Sequence, residues 1–267
     1  MKYRYPFTNE IVFSLVMQNP RFCRGILQLI FPERSIREVK LHDLKIEAEK
    51  SVIVGIESKK IRLDVLFEGD NEWYDIEMQV RNEKNIPKRS RYSHGIMDVY
   101  QLDPGQDYNE LKTGYVIFLC CFDPFDRGDA VYNFQMLDRE KDLSLGDEQY
   151  TILLNSKADR SATPEPLQAL FRYMNESIVS GDDALLHQID ASVQSWNTGE
   201  GVNVIMTLEQ EILIKEAKAR EEGLKEGYDK GRNEARLQMA KMLKDDGLSV
   251  EAITRYTGLT EEKIKEL

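Results

Sequence analysis

Two neighbouring segments of the chain alternate apolar and polar side chains with the period of two that is typical of half-buried β-strands. They are residues 60–68 and 73–81, and in each an apolar residue recurs at every second position. Between them lies Gly69-Asp70-Asn71-Glu72, in which the first three residue types tolerate a positive φ and favour a turn. The pattern therefore predicts a β-hairpin.

The register of this hairpin follows from burying both apolar sets on one face of the sheet, because a slip of one residue would move one set to the other face. The apolar residues are odd-numbered in the first segment and even-numbered in the second. The numbers of two facing residues must therefore sum to an odd value. A two-residue turn at 70–71, or a four-residue loop around it, gives a sum of 141 and sets Asp64 directly opposite Glu77. A turn that starts one residue earlier gives 139 and makes the pair diagonal. In both registers Asp64, Glu77 and Gln79 share the polar face.

Asp64 and Glu77 carry like charges that cross-strand pairing normally avoids, since facing Cβ atoms lie roughly 4.5–5.5 Å apart. A divalent cation between the two carboxylates would remove the repulsion. Mg²⁺ suits such a site, because it binds one or two carboxylates and completes its shell with water and substrate phosphate. The pair therefore indicates a site that cleaves phosphodiester bonds. The alternative is a solvated sheet face with an incidental acidic pair.

The rest of the chain combines helical and strand patterns, which predicts a mixed α/β fold. Residues 7–29 have the apolar spacing of a helix that begins at Thr8 or Asn9 and is broken or restarted at Asn19-Pro20. The further expected elements are one or two strands within 39–54, a helix over 87–102, strands at 115–122, 131–137 and 150–154, and helices at 167–179 and 184–196.

The predicted helix over 87–102 is basic near its start. The basic residues in and before its first turns are Lys84, Lys88, Arg89 and Arg91. Its buried stripe is expected to comprise Tyr92, Ile96, Val99 and Tyr100. Because this helix leaves the strand that carries Glu77, Arg89 and Arg91 are well placed to hold phosphates. The alternative is a solvated helical face.

The composition is that of an ordinary soluble protein, with 41% hydrophobic and 31% charged residues. Its 267 residues suffice for one medium α/β domain and an appendage. No apolar run approaches the roughly 20 residues that span a bilayer, and the N-terminus lacks a basic-then-apolar signal. The three cysteines, two of them adjacent, fit neither a disulfide framework nor a zinc site. We therefore expect a cytoplasmic protein with reduced thiols and no membrane association.

The net charge of −11 is concentrated in the middle of the chain. Residues 1–102 carry a net charge of +2, residues 103–206 carry −11 and residues 207–267 carry −2. The segment with the candidate site is thus slightly basic despite its own carboxylates, which is compatible with DNA as a partner.

A second region, residues 207–267, differs from the preceding domain of residues 1–206. A row of small residues at four-residue spacing would share one helical face: Gly223, Gly227, Gly231 and Ala235. The surrounding charges exclude the apolar membrane form of this motif. We expect the row to support a homo-oligomer or helix docking, and the alternative is a marginal, flexible helix.

The last residues of this region predict three short helices, at 239–243, 249–256 and 260–267. Gly247 and Gly258 would end helices, and the pattern is similar to a helix-turn-helix. Its last helix is too acidic for a reader of the DNA major groove, so a packing module is expected.

Taken in order, these motifs resemble the PD-(D/E)XK nucleases and, more narrowly, the bacterial recombination-promoting nucleases, also described as PD-(D/E)XK transposases. The motifs that carry the resemblance are Thr8-Asn-Glu-Ile-Val-Phe13, Arg62-Leu-Asp-Val65, Ile76-Glu-Met-Gln79 and the glycine-rich charged helix. The superfamily's lysine is Gln79 here, as is general in this family. The resemblance covers nearly the whole chain. It implies a restriction-endonuclease-like core, in which a mixed β-sheet is flanked by helices, and an α-helical C-terminal tail.

The resemblance also implies a metal site. Asp64, Glu77 and the carbonyl of Met78 would bind Mg²⁺ or Mn²⁺, and Gln79 would orient or polarise the attacking water. Glu10, where aspartate is the commoner family choice, would be a further acid near the metal. Its alternative role is a charge that is favourable to the helix dipole.

The implied activity is that of a metal-dependent DNA endonuclease, associated with DNA recombination or mobile elements. The residues expected to contact DNA are Lys88, Arg89, Arg91 and Tyr92. The alternative is a catalytically silent scaffold that binds or assembles DNA or protein. A transposase that joins strands is a third possibility, and these residues do not separate cleaving from joining.

Overall fold

The computed structural model describes residues 3–37, 39–41, 65–69, 71–179 and 181–267, apart from the side chain of residue 216. Asp64, the other residues of the predicted strand before it and most of the segment 39–54 lie outside the described residues. The chain divides into two compact units, Met1–Ile205 and Met206–Leu267.

A mixed sheet forms the centre of the first unit. Its described strands are β1 Lys40–Leu41, β2 Val65–Gly69, β3 Glu72–Gln79, β4 Thr113–Cys120, β5 Val131–Phe134 and β8 Gln149–Asn155, while β6 Leu137–Asp138 and β7 Leu143–Ser144 form a separate pair. The order across the larger sheet is β1-β2-β3-β4-β8-β5. The central strands β3, β4 and β8 are parallel, and the outer pairs are antiparallel. The strand predicted at 131–137 therefore ends early, and its last residue belongs to the second sheet.

Helices flank this sheet. They are α1 Glu10–Val16, α2 Pro20–Ile30, α3 Ile86–Gln101, α4 Glu165–Glu176 and α5 Ala184–Trp196, and α6 Glu200–Asp245 follows. The arrangement confirms the expected mixed α/β fold with a helical C-terminal region, and it is consistent with a restriction-endonuclease-like core.

The break predicted at Asn19-Pro20 separates α1 from α2. Asn9 caps α1, where its Oδ1 accepts hydrogen bonds from the backbone N–H groups of Ile11 and Val12 at 3.1 Å. Asn19 caps α2 in the same way, accepting from Arg21 N at 3.0 Å. Pro20 suits the first position of the new helix, since it has no N–H that needs a partner there.

The β2–β3 hairpin has the register in which facing residue numbers sum to 141. Val65 faces Ile76, and Gly69 faces Glu72. Asn71 in the turn has a φ of 78°, a conformation that asparagine adopts more readily than most residues. Of the two registers that the sequence left open, the structure has the first.

A row of aromatic rings crosses four strands and supports this register. Phe67, Tyr74, Tyr115 and Tyr150 stack in turn, with centroids 5.4, 5.2 and 5.1 Å apart. Cross-strand aromatic pairs stabilise one alignment over its neighbours. The stack thus fixes β3 relative to β2, β4 and β8.

The two faces of β3 meet different surroundings. Tyr74, Ile76 and Met78 belong to a large hydrophobic core that includes α1, α2, α4 and α5. The opposite face carries Trp73 and the polar residues Asp75, Glu77 and Gln79, all of which are buried. This polar face of β3 is therefore not solvated, which contradicts the alternative of a solvated sheet face.

Helix α3 covers this polar face. Its buried residues are Ile86, Ser90, Ser93, His94 and Met97. Gly114 on β4 permits the contact, because a Cβ there would lie 2.7 Å from Cε of Met97. Of the predicted stripe, Ile96 and Tyr100 are partly buried against the hydrophobic residues of this face, whereas Tyr92 is only half-buried and Val99 is 41% exposed. The side of the helix that the sheet covers is largely polar because the sheet surface beneath it is polar.

The second unit contains most of α6, together with α7 Val250–Thr257 and α8 Glu261–Glu266. Its buried core consists of Ala240, Ile253, Leu259 and Ile264. Ser249 and Thr260 cap the two short helices, and Gly258 ends α7 with a φ of 68°. Within the described part of the chain, no helix is both long and apolar enough to cross a membrane.

Candidate active site

Glu77 is a fully buried carboxylate at the centre of the polar face of β3. The Oγ of Ser93 on α3 donates a hydrogen bond to Glu77 Oε1 at 3.1 Å. The Nε of Arg89, one turn earlier on α3, forms an ion pair with Oε2 at 2.6 Å. Gln79, on the same strand, points its Nε2 at Oε2 from 3.4 Å. Polar side chains from both β3 and α3 thus hold this one carboxylate.

Burial dominates the electrostatics of Glu77. Desolvation raises the pKa of the carboxyl group, while the charge of Arg89 and the hydrogen bond from Ser93 act in the opposite direction. The net shift of the pKa is upward. Glu77 therefore needs a neighbouring cation to remain ionised at this depth.

Asp75 is a second buried carboxyl group on the same face, two residues before Glu77. Because strand side chains alternate, residues 75, 77 and 79 point to one side of the sheet. Asp75 is not among the site residues predicted from the sequence, although the same alternation places it beside Glu77. Ser93 was also missed, since nothing in its sequence context marks it.

The candidate ligand at Met78 is its carbonyl oxygen, since its side chain lies in the large core on the other face. The next carbonyl, of Gln79, accepts a hydrogen bond from Cys121 N at 2.8 Å, on the β4 side. Successive carbonyls of a strand point to opposite edges. The Met78 carbonyl therefore points towards β2.

Asp64 itself lies outside the described residues. Its chain neighbour Val65 pairs with Ile76, the chain neighbour of Glu77. Among the described residues, no group of three or more His, Cys, Asp or Glu side chains could hold a metal ion.

The residues at this place nevertheless fit a divalent metal by type. Glu77 offers a carboxylate, Gln79 an amide oxygen and Met78 a carbonyl, all of which are hard oxygen donors. The guanidinium of Arg89 already supplies a positive charge at Glu77 Oε2. The cation that accompanies this carboxylate in the structure is thus Arg89.

Glu10 is not joined to these residues by any contact of the described chain. It is exposed in the first turn of α1. That helix packs through Val12, Phe13 and Val16 into the large core, on the face of β3 opposite to Glu77. Its role as a further acid stays a prediction.

The basic residues of α3 separate into two groups. Lys88 and Arg91 are exposed and lie three residues apart, on one side of the helix. Arg89 turns to Glu77, and its side chain is 30% exposed. Tyr92 is half-buried beside them. Lys88 and Arg91 can therefore contact a polyanion from solvent. Arg89 contacts Glu77 and also reaches the surface.

Further along α3, a buried polar cluster links the helix to β8. Thr151 Oγ1 lies 2.5 Å from Ser90 Oγ and 3.1 Å from Nε2 of His94. Burial lowers the pKa of His94 to about 4. The imidazole is therefore neutral near pH 7, and the cluster fixes α3 over the sheet without adding a charge.

Comparison with known proteins relates this site to a family. Residues 18–165 match a family model that is described as PD-(D/E)XK nuclease family transposase. The matched range includes β2, β3, α3 and β4 and amounts to more than half of the chain. No curated protein and no solved structure gives a significant match.

Proposed function

The chain belongs to the PD-(D/E)XK nuclease family transposases, and on this premise we propose that it hydrolyses phosphodiester bonds in DNA with the help of a divalent metal ion. Membership of the family supports a nuclease-like or transposase-related role. The metal dependence, the DNA substrate and a part in recombination or in mobile-element processes belong to the proposal. The observation that carries it is Glu77, a buried carboxylate beside Gln79 on one face of a central strand.

In this proposal Asp64, Glu77 and the Met78 carbonyl hold Mg²⁺ or Mn²⁺, and Glu10 is an additional acid. A bound ion of this kind would polarise the phosphoryl group and lower the pKa of its water. Gln79 would orient or polarise the attacking water through its amide. Glutamine has no positive charge, so Arg89, which meets the same oxygen of Glu77, supplies the charge that a lysine would otherwise contribute.

DNA would approach along the start of α3. Lys88 and Arg91 are exposed there and would contact backbone phosphates, since such contacts set the affinity and position of a duplex without reading its sequence. Arg89 reaches the surface with 30% of its side chain. Arg89 would therefore connect a phosphate at the surface to Glu77 below it, and Tyr92 would pack beside the backbone.

A second candidate function is a catalytically silent scaffold that binds DNA or protein. The observation that favours it is the ion pair between Arg89 and Glu77. A guanidinium that stays on Oε2 would prevent this oxygen from binding a metal ion. In the nuclease this ion pair would open to admit a metal ion, whereas in the scaffold it would stay closed.

The deciding experiment is nicking of supercoiled plasmid by the full-length protein with Mg²⁺, with Mn²⁺ and with a chelator. The nuclease proposal requires nicking that the chelator stops and that Asp64→Ala and Glu77→Gln abolish while the circular-dichroism spectrum is unchanged. Glu83→Gln, at an exposed acid between β3 and α3, is the matched control and should retain activity. If the wild type cuts no DNA with either metal, and calorimetry detects no Mn²⁺ binding that depends on Asp64 and Glu77, the scaffold is the better description.

A further inference from the structure

The middle of helix α6 carries large apolar side chains without a core to receive them. Every described side chain from residue 210 to residue 236 is exposed. Leu213, Ile214, Leu224 and Tyr228 are between 64% and 69% exposed. Helices in proteins draw most of their stability from packing an apolar face. This stretch therefore presents an unpartnered helix face.

A row of small residues on this stretch is symmetric about Gly227. Its members, at four-residue spacing, are Ala219, Gly223, Gly227, Gly231 and Ala235. A Cβ placed on any of the three glycines would meet no atom within 4 Å. Each glycine weakens a helix relative to alanine, and nothing within the described chain approaches the space that these glycines leave. The row can admit a second helix at close distance, with Gly227 at the crossing point.

The charges on either side of Gly227 identify that second helix. Residues 209–226 contain six acidic and four basic side chains, a net charge of −2. Residues 228–245 contain three acidic and five basic side chains, a net charge of +2. Two copies of α6 in antiparallel orientation would place each acidic half on a basic half. A parallel pair would place halves of the same charge against each other.

Two individual side chains have the same complementarity. Arg220 and Glu234 lie seven residues before and after Gly227, about two helical turns, and so fall on the same side as Gly227. In an antiparallel pair centred on Gly227, Arg220 of each copy faces Glu234 of the other. Leu213 and Leu224, fourteen and three residues before Gly227, lie on this side as well.

We propose that the protein self-associates through α6, which crosses α6 of a second copy in antiparallel orientation at Gly227. The small residues, spaced four apart, let the two helix backbones approach closely at the crossing. In this register Leu213 and Leu224 of each copy face Lys241 and Lys230 of the other, whose methylene stems can cover part of their apolar surface. This proposal is independent of the nuclease activity proposed above.

The first test measures the molar mass of the full-length protein over a range of concentrations by sedimentation equilibrium. We expect a monomer–dimer equilibrium in the wild type, and Gly227→Leu should weaken it at least about tenfold by filling the crossing point. Leucine favours helix more than glycine does, so the helical circular-dichroism signal should not fall. Asp229→Leu is the matched control, since two residues turn the helix by about 200° and direct that side chain away. A wild type that stays monomeric, or an equal loss of dimer in the two variants, would overturn the proposal.

The second test distinguishes the orientation by exchanging charges. Arg220→Glu and Glu234→Arg should each weaken the dimer several-fold, and the double variant should restore it. In a parallel pair each position would face its own copy, so neither single change would turn an attraction into a repulsion. Single variants that dimerise as well as the wild type, or a double variant that does not recover, would contradict the antiparallel crossing.

Discussion

The Nε atom of Arg89 lies 2.6 Å from Oε2 of Glu77, so the central carboxylate of the candidate site already has a cation from its own chain. Glu77 is fully buried, while the Arg89 side chain is 30% exposed. A divalent ion that used both oxygens of Glu77 would have to displace Arg89 from Oε2. Arg89 and such an ion would thus compete for one oxygen, and the surface access of Arg89 provides a place for its side chain to move.

This competition predicts that Arg89→Gln increases the affinity for Mn²⁺ by about tenfold, because the ion no longer displaces a guanidinium. DNA nicking should fall in the same variant, because Gln79 does not replace the lost charge. Calorimetry with Mn²⁺ and the plasmid assay measure the two effects. Arg91→Gln, which removes an equal charge from the exposed side of α3, should leave Mn²⁺ affinity unchanged. An Arg89→Gln variant that binds Mn²⁺ no better than the wild type would show that the two do not compete.

Asp75→Asn should weaken Mn²⁺ binding at least about tenfold. The change keeps the shape of a fully buried side chain and replaces a carboxyl group, which can bind a dication as the carboxylate, by an amide on the face that carries Glu77. The affinity for a dication depends on the summed charge of such a face. Asp98→Asn, on helix α3, makes the same chemical change away from Glu77 and should leave the Mn²⁺ affinity unchanged. Equal Mn²⁺ affinities for Asp75→Asn and the wild type would remove Asp75 from the site.

Ser93→Ala should destabilise the protein by about 1–3 kcal/mol, because it leaves Oε1 of the buried Glu77 without its hydrogen-bond donor. Urea denaturation measures the loss, with Ser161→Ala at an exposed position as the control. A change below the error of the measurement would mean that Glu77 finds another donor. It would show that Ser93 does not hold the carboxylate in place.

His94 should make the folded state less stable at acid pH. Its pKa falls from 6.5 to about 4 on burial, so the unfolded chain binds a proton more readily between these values. The free energy of unfolding should therefore fall as the pH drops from about 6.5 towards 4, by about 3 kcal/mol from this group. Urea denaturation across this range should show a smaller slope for His94→Gln than for the wild type. His187→Gln, at an exposed histidine, should keep the wild-type slope.

Lys88→Gln combined with Arg91→Gln should weaken DNA binding equally for unrelated sequences and lower the slope of log K against log salt by about 2. Phosphate contacts release counterions and carry no sequence information. Fluorescence anisotropy at several salt concentrations measures both effects. Arg139→Gln combined with Lys141→Gln removes the same charge from the exposed region around β6 and β7 and should leave the slope unchanged. A salt slope that responds equally to both pairs would argue against α3 as the contact.

The sequence by itself determined the local elements and the hairpin. Alternation in residues 60–81 identified the two strands and restricted their pairing to two registers, because one face of a sheet must bury a single apolar set. The break at Asn19-Pro20 and the helix over 184–196 were also readable, since caps, proline and apolar spacing act within a few residues of each other. The motifs taken in order, among them Ile76-Glu-Met-Gln79, were sufficient to indicate the family.

Only the tertiary structure decided what lies against Glu77. From the sequence, the polar face of β3 was open either to a metal site or to solvent, and α3 was expected to bury Tyr92 and Val99. Instead α3 buries Ser93 and His94 and directs Arg89 inward. The physical reason is that helical periodicity reports where apolar residues recur, whereas docking on a polar sheet selects the side of the helix that can hydrogen-bond to it. That choice depends on a surface assembled from β3, β4 and β8, whose residues are far apart in the chain.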